Sequence, residues 1–375
     1  MQPPAQDGKP WRVKLTGPEV WSGAEMAART DWLHRVDDAE RREVYDAVAA
    51  FRATGAEWLD MERAQFPLPR LAAKLARLCE QLEHGGGMVA LRGLDPAVLG
   101  QEGMRVALWG VGLHMGTAVS QSRYGELLGE VRDYGEVMGR ATSRGYRAAG
   151  ALRFHTDRCD VVALACVRQG RSGGNNVVVS TPHLHNWLLE HDPEALDALH
   201  APWHHSRQGE GQPHEKPWYR NPIFAIHLGR FTSQYSRAYV ETTAQFAELP
   251  PVTPAQWKVL DTLAALAQRE GLLVRLEPGE MQFLNNHVTY HSRDPVVDWE
   301  EPAKKRMLYR LWLSMPQSRE LPADFDVLWG PTGAGVVRGG VVAAAGYRTV
   351  ADLRRLRAEG RAPARAGWPL DALPA

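Results

Sequence analysis

His155 and Asp157 stand two residues apart and His291 follows about 135 residues later, so a fold that unites the three must bring distant segments together. The first pair ends the run Leu152-Arg153-Phe154-His155-Thr156-Asp157, apolar and aromatic enough to read as a strand. Alternation along a strand puts residues i and i+2 on one face, so His155 and Asp157 can point at one ion. Two imidazoles and a carboxylate on one side of a metal leave its other positions open, the facial arrangement of non-haem Fe(II) oxygenases. Arg306 and Arg310 follow the distal histidine. Each feature alone is weak: a His-x-Asp pair usually just hydrogen-bonds, a single histidine is usually structural, and two arginines are usually solvated. Their joint order gives the pattern its weight.

Composition narrows the setting. The 375 residues suffice for a large buried core, and 44 Lys+Arg balance 44 Asp+Glu. No overall charge steers the chain to nucleic acid or an anionic membrane. Cys79, Cys159 and Cys166 are odd in number, lack Cys-x-x-Cys spacing and read as reduced thiols of a cytoplasmic protein. Met1 to Asp7 has neither the cationic start nor the apolar core of a signal peptide. No window approaches the ~20 continuous apolar residues of a membrane span.

Residues 1–86 read as a helical N-terminal segment. Val44, Tyr45, Val48 and Phe51, then Leu71, Leu75, Leu78 and Leu82, recur at helical spacing, and Gly85-Gly86-Gly87 is a stop. Residues 87–318 read as a core of short strands (Met88–Leu91, Val161–Val167, Val177–Val179, Met281–Leu284, Met307–Leu313), with short apolar runs and Gly-rich turns from 88 to about 190. A helical and loop insertion spans about 181–271, its helices starting at Ser180-Thr181-Pro182 and Thr253-Pro254. The stretch from Trp203 to Tyr219 reads as a polar loop, a lid or binding segment. Residues 319–375 form a Gly/Ala/Arg-rich tail with little core signal, although packing against the body is open to it. The expected fold is a single domain of the α+β class with a mostly β core, a jelly roll carrying helical insertions.

The order His155-x-Asp157, Gly173-Gly174-Asn175-Asn176, Asn285-Asn286-His287-Val288-Thr289-Tyr290-His291 and Arg306-x-x-x-Arg310 resembles the TauD/TfdA (taurine dioxygenase-like) family of Fe(II)- and 2-oxoglutarate-dependent oxygenases. The resemblance covers roughly residues 85 to 318 and implies a double-stranded β-helix of the clavaminate synthase type. It implies iron held by His155, Asp157 and His291, with 2-oxoglutarate and O₂ as cosubstrates. Arg306 would meet the 2-oxoglutarate side-chain carboxylate, with Asn176 where the family carries a threonine. The family's Asp-Asn-Arg before the distal histidine reads Asn285-Asn286-His287 here, which leaves the ligands intact. Asp157 argues against the halogenating branch, where a small residue replaces the carboxylate.

A guanidinium offers a carboxylate two parallel N–H donors, and a buried one needs an acidic partner. On a strand Arg306, Leu308 and Arg310 share a face, so Arg310 meets either an internal acid or an anionic substrate. Arg153, on the face of His155, is a third inward candidate, and Gln121 and Tyr124 are candidate pocket residues. The expected reaction is hydroxylation of a C–H bond of a small polar substrate, an amino acid or other small acid, with release of succinate and CO₂. Desaturation or cyclisation would use the same site, and a homo-oligomer is compatible with this reading. A zinc hydrolase with the same ligands needs neither the arginine pair nor the Gly-Gly-Asn-Asn turn. A non-catalytic jelly-roll binding protein needs no triad.

Overall fold

The strongest apolar runs of the sequence lie side by side. The computed structural model describes residues 9–136 and 145–361; Met1 to Asp7 and the end of the tail fall outside these. Eleven strands build two sheets: β1 (Leu33–Arg35), β2 (Met88–Arg92), β3 (Thr117–Ala118), β4 (Leu128–Val131), β5 (Leu152–His155), β6 (Val161–Arg168), β7 (Asn176–Ser180), β8 (Leu272–Val274), β9 (Met281–Asn285), β10 (Thr289–Arg293) and β11 (Met307–Ser314). The larger sheet runs β1-β2-β9-β6-β11-β3, with β4 also on β11. The smaller runs β8-β7-β10-β5. Facing each other, the two form the jelly-roll core of an α+β fold.

Burial separates the faces of each strand. Tyr309, Leu311 and Leu313 of β11, with Ala163 and Ala165 of β6, pack outward among Val44, Phe51, Leu75 and Leu108 of three covering helices. The opposite face of β11 turns Arg306, Leu308, Arg310 and Trp312 toward the smaller sheet, Leu308 packing on Leu164 and Cys166. The smaller sheet is covered in turn by helices Thr181–His191, Pro193–His200 and Pro254–Glu270, through Leu184, Leu196 and Leu263. Ser180 and Thr253 cap their helices by accepting the N–H of His183 and Gln256, as their sequence signatures predict.

Three expectations change. The segment from 88 to 190 contains a helix, Pro96–Met115, capped by Asp95. From Gly103 to Met115 it is almost wholly apolar because it lies between β6 and β11 on one side and other helices on the other, so a weak amphipathic period betrays it little. Its glycines permit close approach: a Cβ on Gly112 would stand 2.4 Å from Leu311 Cδ2. Residues 203–219 hold a hairpin, Pro202–Ser206 against Trp218–Pro222, so the expected loop is shorter, 207–217, and is anchored at both ends by backbone pairing. The tail from Leu321 to Leu356 is deeply packed, burying Phe325, Trp329, Tyr347 and Leu353. Its fully buried Arg338 donates from Nε to Asp160 at 2.8 Å, and His287 meets the same carboxylate oxygen at 2.8 Å.

Candidate active site

His155 ends β5, and His291 lies directly opposite it on β10, ring centroids 4.3 Å apart. Asp157 falls two residues past the end of β5, so the turn, not strand alternation, aims its carboxylate. One ligand atom from each of the three lies within 4.8 Å of the others. His155 Nδ1 stands 2.8 Å from the carbonyl of Arg153, which fixes the tautomer with Nδ1–H donating and leaves the Nε2 lone pair free. That Nε2 lies 3.9 Å from Asp157 Oδ1, and His291 Nε2 lies 3.8 Å from Oδ2.

The charges suit a divalent cation. Burial, with the neighbouring His155, pushes His291 down to about 3, so the imidazole is neutral at neutral pH. Burial opposes ionisation of Asp157, but Arg310 and the two histidines overcome it and hold the carboxyl below its usual range. Asp157 Oδ2 is buried and accepts no hydrogen bond among the described residues. Two imidazoles and a carboxylate with an orphaned oxygen are the donor set of a facial iron site, and they fit the metal.

Arg306 precedes β11 and is buried, with Nε lacking any partner among the described residues. Its Nη2 donates to the carbonyl of Gly174 at 3.3 Å. Burial holds its pKa below the ordinary arginine value, although Cys166, Asp298 and Asp294 favour the cation. An interior guanidinium without a bonded carboxylate is costly, and a carboxylate cosubstrate would satisfy it. The Gly-Gly turn supplies the close approach: a Cβ on Gly174, which has φ +71°, would stand 2.8 Å from Arg306 Nε. Asn176 lies across from Arg293 on β10, buried, its amide donating to Gln282 Oε1 at 3.0 Å.

A cavity of about 470 Å³ opens onto His155 and Asp157. Arg310 lines it, Nε donating to Gln121 Oε1 at 2.8 Å and Nη1 lying 3.5 Å from Asp157 Oδ1, with its guanidinium over the Tyr146 ring. Gln121 returns a bond from Nε2 to the Arg310 carbonyl at 2.8 Å. Arg153 does not turn inward. It stands at the rim, more than half exposed, in a two-pronged ion pair with Glu241 at 2.8 and 2.6 Å. Tyr124 does not line the cavity. Sequence reasoning missed Arg158 and Arg207 on its wall, which Tyr219 also lines. Arg158 follows a predicted ligand directly and was open to notice; Arg207 becomes visible only once the hairpin is known.

A jelly roll with this triad at its mouth defines a non-haem iron oxygenase. Residues 45–312 match the family described as "Taurine catabolism dioxygenase TauD, TfdA family", and the chain belongs to it. It is thus an Fe(II)- and 2-oxoglutarate-dependent dioxygenase. It is 35% identical over 325 residues to FR-33289 synthase of Streptomyces rubellomurinus, an alignment covering 84% of this chain and 95% of that one. It is 25% identical over 251 residues to uridine-5'-phosphate dioxygenase of an Amycolatopsis species, covering 63% and 87%. Asparagine oxygenase, solved with Fe(II), 3-hydroxyasparagine and succinate, shares the fold at TM-score 0.58 and 21% identity, covering 81% and 99%. The non-heme iron oxygenase OrfP, solved with Fe and α-ketoglutaric acid, does so at 0.56 and 16%, covering 75% and 93%.

Proposed function

We propose that the chain hydroxylates an unactivated C–H bond of a small polar substrate carrying an acid group, an amino acid or other small acid, with release of succinate and CO₂. Iron bound with 2-oxoglutarate and O₂ would supply the oxidising chemistry for that step. His155, Asp157 and His291 would hold the metal, the first in the tautomer that the Arg153 carbonyl selects. Arg306 would bind the distal carboxylate of 2-oxoglutarate, its guanidinium held against the Gly174 carbonyl, with Asn176 on the same interior wall. Arg310, gripped by Gln121, would present its remaining N–H groups to the substrate. The walls of the cavity would orient one C–H bond of the bound substrate toward the triad.

The observation that carries this reading is Arg306, a buried cation with no bonded carboxylate among the described residues, in the barrel interior that also holds the triad. Relatives add support for the substrate class. One is named for a nucleotide monophosphate, and structures of others hold 3-hydroxyasparagine or (3S)-hydroxy-L-Arg. The test is an anaerobic titration of purified protein with Fe(II), then 2-oxoglutarate, read at the visible metal-to-ligand charge-transfer band. The band should form in the wild type, vanish in His155→Ala, and need far more 2-oxoglutarate in Arg306→Ala. Unchanged 2-oxoglutarate demand in Arg306→Ala would overturn the carboxylate assignment.

A further inference from the structure

The cavity has a second cationic wall that the chemistry above leaves unused. Arg158, the residue after Asp157, lines it. Its Nε is fully shielded, and its guanidinium has no hydrogen bond or ion pair among the described residues. Beside it stands Arg207, just past the strand Pro202–Ser206 and 6% exposed. Three contacts hold Arg207 in place: Nε donates to the Lys216 carbonyl at 3.1 Å, Nη2 to the Val327 carbonyl at 2.8 Å, and Nη2 pairs with Glu215 at 3.2 Å. Its Nη1 is left buried and unpaired. The Tyr219 ring lies under this guanidinium at 5.4 Å.

Shielded charged donors without partners are expensive to keep in a fold. Glu210 and Glu215 are the acids near Arg158, and neither forms a salt bridge with it. The structure thus places arginines from two separate segments on the wall of one cavity next to the triad, each with a shielded N–H that lacks a partner among the described residues. A lone carboxylate is matched by the parallel fork of one arginine. Two guanidinium groups on one wall suit a head group with three oxygens and a charge near −2.

We infer that Arg158 and Arg207 form a subsite for a phosphoryl-type dianion, a phosphate ester or phosphonate, at the end of the substrate. The inference rests on the oxygenase reading and adds the chemical class of the substrate's head group. An anion held at Arg158 places the rest of the substrate beside Asp157, and the head group takes no part in the oxidation.

The test uses full-length protein loaded anaerobically with Fe(II) and 2-oxoglutarate, with inorganic phosphate, methylphosphonate and acetate titrated by calorimetry. Phosphate and methylphosphonate should bind at least about tenfold tighter than acetate. Arg158→Gln and Arg207→Lys should each weaken phosphate by about tenfold or more, the loss of one charge-assisted contact. Arg158→Gln should also keep or raise the melting temperature, because it removes an unpaired cation; a merely structural arginine would lower it. If Arg207→Lys melts early, Arg158→Gln alone decides. Equal binding of acetate and phosphate overturns the inference. So does phosphate binding that Arg158→Gln leaves unchanged, which would place the anion on the metal. The charge-transfer band is recorded in every sample: its absence in wild type sinks the oxygenase reading, whereas a normal band without selective phosphate binding sinks only the subsite.

Discussion

Asn286 Oδ1 accepts the backbone N–H of Asp157 at 2.9 Å, while its Nδ2 donates to the carbonyl of Cys159 at 3.0 Å. Asn286 lies in the turn between β9 and β10, five residues before His291. One buried amide therefore ties the loop that carries the carboxylate ligand to the hairpin that carries the distal histidine. Asn286→Ala leaves the Asp157 N–H without its acceptor, a loss of roughly 1–3 kcal/mol. The expected outcome is a lower melting temperature together with weaker Fe(II) binding, measured by anaerobic titration. Full Fe(II) affinity in this variant would show that the ligand loop needs no such tie.

Gly174 and Arg306 make the second prediction. The glycine has φ +71°, and an added methyl would stand 2.8 Å from Arg306 Nε. Alanine there pays about 1 kcal/mol in backbone strain and pushes the guanidinium aside. Gly174→Ala should raise the 2-oxoglutarate concentration needed for half-saturation by about tenfold and leave Fe(II) binding as in wild type. The charge-transfer titration reads both quantities in one experiment. An unchanged 2-oxoglutarate requirement would mean that Arg306 does not depend on that turn.

The legible parts of this fold share a physical trait: their signal is local. The helices at Val44–Phe51 and Leu71–Leu82 show one apolar face because they lie on the surface of the core, and β6 and β11 are mostly apolar runs, broken in β11 by Arg310, because both faces are buried. The helix Pro96–Met115 was hidden by the opposite situation, burial of most of its length from Gly103 on plus glycines that read as turns, although Asp95-Pro96 marks its start. The facial ligands were readable from residue type and order. The partners of the arginines were not. Arg153 meets Glu241, 88 residues away, and Arg310 meets Gln121, 189 residues away, pairings that exist only after the sheets close. The tail misled for a similar reason: its Gly/Ala/Arg composition masks aromatic anchors and Arg338, whose acid partner Asp160 is 178 positions away.

Gln121 positions Arg310 from both sides, accepting from its Nε and donating to its carbonyl, each at 2.8 Å. Gln121→Leu keeps the bulk and removes both contacts, so Arg310 is free to fall toward Asp157. A hydrogen bond to a charged group contributes roughly 1.5–3 kcal/mol. The substrate KM should rise by at least about tenfold, with the 2-oxoglutarate requirement unchanged, in a succinate-release assay with any accepted substrate. A fall in kcat alone would instead assign Arg310 to holding Asp157.

Acid should destabilise the protein through two histidines remote from the triad. Burial pushes His185 down to about 4, against the opposing bond to the Trp11 carbonyl, and burial likewise pushes His205 down to about 4 despite its bond to the Asn221 carbonyl. Both are neutral in the folded chain, whereas the unfolded chain protonates them near their ordinary value of about 6.5. Above that value neither state carries the extra protons and stability is unaffected. Between about 6.5 and 4 the unfolded state binds more protons, so stability falls as pH falls, by up to about 1.4 kcal/mol per pH unit for each group. Once both are protonated in the folded state too, below about 4, their contribution stops changing. Denaturant melts at half-unit steps from pH 7.5 to 4.5 should show this decline. His185→Phe, set among Phe224 and Phe231, removes one titrating group and should flatten the slope by about half of the two-histidine contribution. A slope identical to wild type in that variant would place the acid sensitivity elsewhere.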